Sequence, residues 1–476
     1  MKPSLPDVYV TLKDGGLGVA PVPTENIHAK IGVSSQGPVN ELVPVTNYDD
    51  LKSTFGTGPL VEAAAVALAL AGGPVYLVRA NASVAGSVSP VTAQRVGSST
   101  GTVSVTGSPA DAYQVIVEIT RTGSVAGNDS AFRYSLDGGD TWSAEKALTA
   151  SYALEDTGLT LNFTDGAGPT YFQQGDRFTF TTTPPGMSLT DLTDALSALL
   201  GDPREWGFVH VVGAASATVF GAVAAKMAEA EANGRYVFAV LEARDIGDGE
   251  TESQWMNALL TEYGSSTSTR VAVVAGHGEL VSPLTGRVMR RSLAWPYTGR
   301  LSAIPISEAP GRVATGPVPG IVRLYHDEGR LPGLDAGGFT TFRTYSGLTG
   351  YYVALGRMKA PPGSDFDLVQ NRRVMDQACR VAVGAARRFL QESVRVDDSG
   401  LIDERDAQRI EGYIRSQLEG ALVAPGHASA VDVVLKRDSN ILSTRSTTLT
   451  VRVRPLGYLH WLEVVVGFEN PALIPA

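Results

Sequence analysis

The C-terminal end of the chain carries two stretches in which apolar and polar side chains alternate. Residues 447–454 read TTLTVRVR and residues 461–468 read WLEVVVGF, with the turn-forming residues Arg-Pro-Leu-Gly at 454–457 between them. A period of two places apolar side chains on one face of a strand and polar side chains on the other. Because two strands alone are marginal in water, the pattern predicts that both stretches join a larger sheet.

Length and composition narrow the class of protein. A chain of 476 residues with 43% apolar residues predicts two to four domains with packed cores. The formal net charge of −10 argues against nucleic acid as a partner. A single cysteine, Cys379, excludes an intrachain disulfide and fits a reducing compartment. No apolar run approaches the roughly 20 residues of a membrane span, so no direct membrane insertion is expected.

The sequence contains none of the usual phosphate, dinucleotide or metal motifs. Neither GxxxxGK[ST] nor GxGxxG occurs, and the six histidines do not pair at metal-ligand spacing. We therefore predict no catalytic, cofactor-binding or metal site, and no cofactor. His210 is expected to be a buried core histidine. His277, at the end of a predicted strand, is the best position for a general base, and an α/β hydrolase with a β accessory domain is the alternative class that rests on it.

The order of predicted elements gives an α/β fold class with an α+β C-terminal part. Near-continuous apolar strands alternate with helices, which predicts a three-layer core with a mostly parallel sheet. Strand-like runs separated by turns predict an inserted all-β domain. Residues 301–331 are expected to be rich in loops. The predicted parts are an N-terminal extended arm at 1–20, an α/β core domain at 21–91 plus 186–335, an all-β outward-facing domain at 92–185, and a C-terminal domain with a strand arm at 336–476.

Arginines of a predicted long helix at 365–393 form another pattern. Arg373, Arg380 and Arg387 are spaced by seven residues, so they lie on one side of the helix. They lie about 140° from the middle of its apolar stripe. Two interpretations stand: a solvated face on which Asp376 pairs with Arg380, or a surface that docks on an acidic protein.

Three stretches resemble contractile phage tail sheath proteins. Residues 336–383, AGGFTTFRTYSGLTGYYVALGRMKAPPGSDFDLVQNRRVMDQACRVAV, are similar to the C-terminal core of that family. Residues 58–80, GPLVEAAAVALALAGGPVYLVRA, resemble its first α/β segment. The β-rich stretch with FRYSLDGGDTW at 132–142 resembles the outward-facing domains that many sheath proteins carry.

The resemblance implies a structural subunit that is not an enzyme. Such a subunit polymerises helically around a tail tube and contracts to drive the tube through the host envelope. The implied partners are other copies of the chain, the tail tube protein, and the baseplate and tail terminator proteins. The implied location is the tail of a virion, made and assembled in the host cytoplasm. The sheath of a phage-derived injection system is the alternative.

The resemblance also implies that terminal arms of one subunit add strands to its neighbours. We expect 447–454 to stay in its own domain and 461–468 to pair with another copy. The candidate arm residues are Val8, Val10, Leu12, Leu462, Val464, Val466 and Phe468, with Gly15, Gly16 and Gly18 as the hinge of the N-terminal arm. In the family a C-terminal helix faces the tube. The candidates for that face are Arg373, Arg380 and Arg387, with Arg405, Arg409 and Arg415 on the next helix as the rival set.

Overall fold

The first α/β segment supplies the central strands of a parallel sheet. The computed structural model describes residues 24–168 and 170–468. The elements of this segment are β1 His28–Gly32, β2 Leu42–Val45, α1 Tyr48–Phe55, α2 Pro59–Ala71 and β3 Val75–Arg79. Helix α2 begins at Pro59, where no backbone N–H is needed, and ends at Gly72 with a φ of 61°. Strand β1 is parallel to β3, and β2 is the antiparallel edge.

The described residues between 87 and 183 form strands and turns. The strands are β4 Ser87–Val88, β5 Thr92–Gln94, β6 Thr102–Gly107, β7 Gln114–Arg121, β8 Ala131–Ser135, β9 Lys146–Ala147, β10 Ser151–Leu154, β11 Leu159–Thr164 and β12 Arg177–Thr183. One sheet has the order β10-β11-β6, and the other β4-β12-β7-β8-β9 with β5 beside β12. Apolar side chains of both sheets share one core, which includes Phe132, Phe163 and Phe178. The boundaries at 92–185 remain a prediction.

The turn after β8 is organised around one buried carboxylate. Ser135 Oγ donates to Asp137 Oδ1 at 2.7 Å, and Thr141 donates its N–H to Oδ1 at 2.9 Å and its hydroxyl to Oδ2 at 2.6 Å. Burial raises the pKa of Asp137, but the hydrogen bonds from Thr141 and Ser135 outweigh burial, so its pKa lies below the ordinary value.

The second α/β segment extends the parallel sheet. Its elements are α3 Leu189–Gly201, β13 Phe208–Ala214, α4 Ala217–Ala232, β14 Phe238–Glu242, α5 Glu252–Glu262, β15 Val271–Val274, β16 His277–Val281, β17 Val288–Ser292, α6 Ala294–Ala303 and β18 Ile321–Leu324. Capping boxes start α3 at Ser188 and α5 at Thr251. The strand order is β15-β14-β13-β1-β3-β2, with one apolar core against α3, α4 and α5 and another against α1, α2 and α6. The predicted three-layer α/β class is confirmed.

The sequence did not predict the elements between β15 and residue 331. Strand β16 pairs antiparallel with β17 and β18, and only the last three residues of α6, 301–303, fall in the region predicted to be rich in loops. Helix α6 packs closely on α2 because residue 299 is glycine. A Cβ at Gly299 would lie 2.7 Å from Leu70 Cδ1 and 3.2 Å from Ala67 Cα.

The C-terminal part joins two helices to a two-stranded sheet. Its elements are β19 Phe342–Arg343, β20 Tyr352–Val353, α7 Val369–Ala386, α8 Glu404–Leu418, β21 Ala430–Leu435, α9 Ile441–Thr444 and β22 Leu449–Arg454. The predicted helix at 365–393 is shorter because Leu368 forms a β-bridge with Arg357, and a 3-10 turn at Arg387–Phe389 ends it. Apolar side chains of α7, α8, β21 and β22 form one core. Among the described residues, no helix is both long and apolar enough to cross a bilayer.

Candidate assembly surfaces

The segment that follows β22 leaves its own sheet. The Tyr458 hydroxyl donates to Ser307 O at 2.8 Å, which holds the start of the segment against the loop after α6. Beyond this contact, large apolar side chains are 71–111% exposed: Leu459, Trp461, Leu462, Val464, Val465, Val466 and Phe468. An exposed apolar stretch of this size marks an interaction site or an aggregation liability.

The predicted strand at 461–468 does not form within one chain. These residues belong to no helix or strand of the structure. A strand is stabilised by a ladder of backbone hydrogen bonds with a partner, and within the described chain this segment has none. Pairing of this segment with another copy therefore stays a prediction.

The first of the two stretches behaves as predicted and pairs inside its own domain. Strand β22 is antiparallel to β21, with Arg452 opposite Asp432 and Arg454 opposite Ala430. Lys436 N–H donates to Thr448 O. In an antiparallel ladder, every second residue points its backbone groups to the same side. Residues 449, 451 and 453 therefore point theirs to the outer edge of β22.

The two faces of this hairpin differ in polarity. On one face, Leu449, Val451 and Val453 of β22 pack into the core with α7 and α8. On the other face, Arg452 and Arg454 are exposed. We call the outer edge of β22 with these two arginines the β22 edge.

The N-terminal candidates lie outside the residues that the structure describes. They are the arm residues Val8, Val10 and Leu12 and the hinge glycines Gly15, Gly16 and Gly18.

The predicted arginine row on α7 is not a solvent-facing surface. Arg373 is 3% exposed, and its Nη2 donates to Asn26 Oδ1 at 2.8 Å. Burial lowers its pKa to about 10. Arg380 is half-buried and donates to Tyr236 O at 3.0 Å, and burial lowers its pKa as well. Only Arg387 is exposed. The interpretation of all three as one docking row is therefore wrong, because α7 lies against the core along this side.

The predicted pair between Asp376 and Arg380 is replaced by a buried cluster. Asp376 is 1% exposed, and its Oδ1 lies 2.9 Å from Arg270 Nη1 and 2.7 Å from Arg372 Nη2. Arg270 precedes β15, so this cluster fixes α7 to the α/β core. The local sequence signal for it was Arg372, four residues before Asp376 on the same side of the helix.

An exposed surface with four arginines lies at the end of α7 and the start of α8, where the exposed acidic residues Glu392, Asp397, Asp398 and Glu404 also lie. We call it the basic loop surface, and it consists of Arg387, Arg388, Leu390, Arg405 and Arg409. Leu390 is 73% exposed, and the four arginines are exposed. Within the rival set, Arg409 pairs with Glu392 at 2.8 Å, whereas Arg415 is half-buried and lies 3.4 Å from Asp432.

The two histidines singled out from the sequence both lie near Glu242. His210 is fully buried, as predicted, with its Nε2 2.9 Å from Glu242 Oε1. His277 lines a cavity of about 600 Å³ at the carboxyl ends of the parallel strands, together with Glu242, Asp245 and Arg291. Its Nδ1 is 3.6 Å from Asp245 Oδ1, too far for a hydrogen bond. Burial lowers its pKa.

No group of three or more His, Cys, Asp or Glu side chains within 24–168 and 170–468 has an arrangement that could hold a metal ion.

Comparison with known families covers nearly all of the chain. The N-terminal domain of the DUF2586 family matches residues 5–357, and its C-terminal domain matches residues 365–473. The chain belongs to the DUF2586 family. No curated protein sequence matches this DUF2586 protein.

Solved structures share the fold of this DUF2586 protein at low sequence identity. A chain of the anti-feeding prophage baseplate has a TM-score of 0.53 at 11% identity, over 98% of this chain and 100% of the other. The contracted PVC sheath complex of an extracellular contractile injection system has a TM-score of 0.53 at 10% identity, over 99% of both chains. The contracted anti-feeding prophage helical sheath has a TM-score of 0.51 at 12% identity, over 98% and 99%. The expected sheath protein fold is confirmed.

Proposed function

We propose that this chain is the subunit of a contractile sheath, which polymerises helically around a tail tube and contracts to drive the tube through a host envelope. The observation that carries the proposal is a fold shared with two sheath structures over at least 98% of both chains. Its role is structural rather than enzymatic. Its partners are other copies of itself, a tail tube protein, a baseplate and a tail terminator.

Two particles use such a subunit. The first is a virion tail, made and assembled in the host cytoplasm, and the second is a phage-derived injection system. The injection system stays a candidate because the structures that share this fold include the sheath complex of an extracellular contractile injection system. Capsid and terminase genes beside this gene would indicate the virion, and their absence would indicate the injection system.

Electron microscopy of the purified full chain tests the proposal. Hollow tubes, or soluble chains that assemble on added tail tubes, are the expected result. A chain that stays monomeric at high concentration and also fails to coat tail tubes would contradict the sheath function.

The C-terminal segment of one copy adds a strand to the β22 edge of another. In support, its apolar side chains are exposed, and it extends about 30 Å beyond Tyr458 at roughly 3.3 Å per residue. Backbone groups at the β22 edge have no partner within the described chain. Strand addition satisfies these groups and covers the exposed apolar side chains at the same time.

Side-chain polarity favours the β22 edge over the edge of β21. If Leu462, Val464 and Val466 continue the apolar face of β22 over α7 and α8, then Glu463 lies on the outer face with Arg452 and Arg454. The outer face of β21 carries Asp432 instead, which repels Glu463. The partner of the segment is thus a second copy of this chain.

Removal of residues 459–476 tests the strand addition. The truncated chain keeps Tyr458 and all described helices and strands, so its thermal unfolding should match that of the full chain. We expect assembly to be lost, both alone and on tail tubes. Normal assembly of the truncated chain would contradict strand addition by the C-terminal segment and leave the sheath function standing.

The basic loop surface faces the tail tube. It replaces the α7 row in this role because Arg373 is buried, whereas Arg387 and Arg405 are exposed. Exposed arginines around an exposed leucine suit an acidic protein surface with an apolar centre.

Charge reversal separates tube binding from sheath assembly. Arg387→Glu and Arg405→Glu should weaken binding to tail tubes, most strongly at low salt, and leave contacts between sheath subunits unchanged. Arg121→Glu, at an exposed arginine of β7, is the matched control. Tube binding that is equal in all three variants would exclude this surface.

A further inference from the structure

Three adjacent strands of the parallel sheet place ionisable side chains in one buried line. Lys30 on β1 and His210 on β13 are each 0% exposed, and Lys30 Nζ lies 2.9 Å from His210 Nδ1. His210 Nε2 lies 2.9 Å from Glu242 Oε1 on β14. We call these three residues the polar row.

Helix α6 packs over the polar row and forms hydrogen bonds with both of its ends. Lys30 Nζ donates to Thr298 Oγ1 at 2.8 Å, and Trp295 Nε1 donates to Glu242 Oε1 at 2.8 Å. Both partners belong to α6, so the hydrogen bonds at the two ends of the polar row tie this helix to the sheet. A change in the protonation of the row therefore acts on the attachment of α6.

The hydrogen-bond pattern fixes how many protons the polar row holds. When the Lys30 ammonium donates to His210 Nδ1, the Nε2–H of the same ring donates to the Glu242 carboxylate. Every contact is then made, and the net charge is zero. A further proton on His210 turns Nδ1 into a donor facing the Lys30 ammonium, and a proton on Glu242 leaves that ammonium without a counter-charge. An added proton thus costs a hydrogen bond or a charge pair among buried side chains.

Few charged groups on the elements around the polar row could compensate for an added proton. His28 on β1 is stacked on Phe208, with its Nδ1 2.8 Å from Ser302 Oγ. Toward the cavity, His277 lies near Asp245, and Arg291 pairs with Asp111. The remaining charged groups of the neighbouring elements have partners of their own: Glu62 of α2 on Ser282, Arg79 of β3 on the carbonyls of Ser34 and Gly37, and Arg300 of α6 on the carbonyl of Gly316.

Burial affects all four ionisable groups. It lowers the pKa of Lys30 to about 7, and it holds the pKa values of His28 and His210 well below the ordinary histidine value, with Lys30 adding to the effect. It raises the pKa of Glu242. On exposure the two histidines bind protons more readily, whereas Glu242 releases its proton more readily; the two histidines together outnumber this single group of opposite sign. Opening of this region therefore becomes more favourable as the pH falls below about 6.5.

We propose that the polar row is an acid-sensitive lock, which holds α6 on the sheet in neutral solution and releases it in mild acid. Glu242 and Trp295 line the cavity of about 600 Å³, which gives protons a route to the row. The inference goes beyond the sheath function and does not depend on it.

Release of α6 would reach the C-terminal part of the chain. Helix α6 runs directly into residues 304–307, where Ile304 O and Pro305 O accept hydrogen bonds from Arg373 and Ser307 O accepts one from Tyr458. Residues 304–307 thus connect α6 to the contacts that hold α7 and the start of the exposed C-terminal segment.

Hydrogen exchange of the full chain at about pH 7.5 and about pH 5.5 tests the lock. After correction for the intrinsic pH dependence, peptides from α6 should exchange about tenfold faster at the lower pH. This is the factor by which one newly exposed histidine of ordinary pKa shifts an opening equilibrium. Peptides from β8, in the β-rich segment, are the internal reference. Equal protection of α6 at both pH values in the wild-type chain would overturn the proposal.

A conservative variant assigns the effect to the polar row. His210→Gln keeps an acceptor toward Lys30 and a donor toward Glu242 but binds no proton. The acid-induced loss of α6 protection should shrink several-fold in this variant and stay unchanged in His460→Gln, at an exposed histidine. A loss in His210→Gln that equals the wild-type loss would also overturn the proposal. If this variant does not fold, the wild-type comparison of α6 with β8 still decides.

Discussion

Charge reversal at Arg454 tests how one copy recognises the C-terminal segment of another. Arg454 is the better position because it lies opposite Ala430 on β21, whereas Arg452 lies opposite Asp432. Arg454→Glu therefore changes the outer face of the β22 edge without a like-charge pair inside its own hairpin. The partner change is Glu463→Arg.

The size of the effect follows from cross-strand charge pairs. An attractive pair contributes roughly 0.2–1 kcal/mol, and like charges cost a similar amount. Replacing attraction by repulsion thus weakens each contact between copies by roughly 0.5–2 kcal/mol. A value of about 1 kcal/mol raises the critical concentration for assembly about fivefold. At about 1 M salt, where the screening length is about 3 Å, most of this difference should disappear.

The assay is the critical concentration of the full chain, measured by sedimentation or by coating of tail tubes. Arg454→Glu and Glu463→Arg should each raise it, and the double variant should return close to the wild-type value. Arg121→Glu controls for net charge. Single variants that assemble like the wild type, or a double variant that combines both losses, would refute the pairing of Glu463 with the β22 edge.

Three further substitutions test contacts inside the chain. Asp376→Ala leaves the buried guanidinium groups of Arg270 and Arg372 without their shared carboxylate. The free energy of unfolding, measured by denaturant titration, should fall by roughly 3–5 kcal/mol. A loss under about 1 kcal/mol would contradict the buried cluster. Asp137→Ala removes the acceptor of the turn after β8, which should cost roughly 1–3 kcal/mol and raise proteolysis at 137–141, whereas unchanged stability would exclude this role. Tyr458→Phe removes the hydrogen bond to the loop after α6, so cleavage within 455–468 should become faster while global stability changes by less than about 1.5 kcal/mol.

The α/β core was predictable because its strands are buried on both faces. The apolar run at 207–212 lies in the strand Phe208–Ala214, and the alanine-rich stretch at 215–232 forms the helix Ala217–Ala232. Long apolar runs and strong caps specify these elements locally. Helix α6 was not predicted, and it contains Pro296 and Gly299, two residues that are unfavourable in helix interiors. Proline is tolerated in a first turn, and the glycine is needed for the close contact with α2.

The assembly surfaces were predictable only in part, since burial of a polar side chain depends on partners far away in the sequence. The sequence pattern places Arg373 and Arg380 on a solvated or docking face of the helix. In the structure their partners are Asn26 and the carbonyl of Tyr236. The helical period gives the side of α7 on which they lie, but not what packs against that side. The strand predicted at 461–468 is not formed in the single chain, and its hydrogen-bond ladder would require a second chain.

A helical reconstruction of assembled tubes tests the central claim most directly. We predict that residues 461–468 of each copy form a strand beside the β22 edge of a neighbouring copy, with Glu463 on the same face as Arg452 and Arg454. Tubes in which this segment instead folds back on its own chain, or leaves the β22 edge unpaired, would contradict the account.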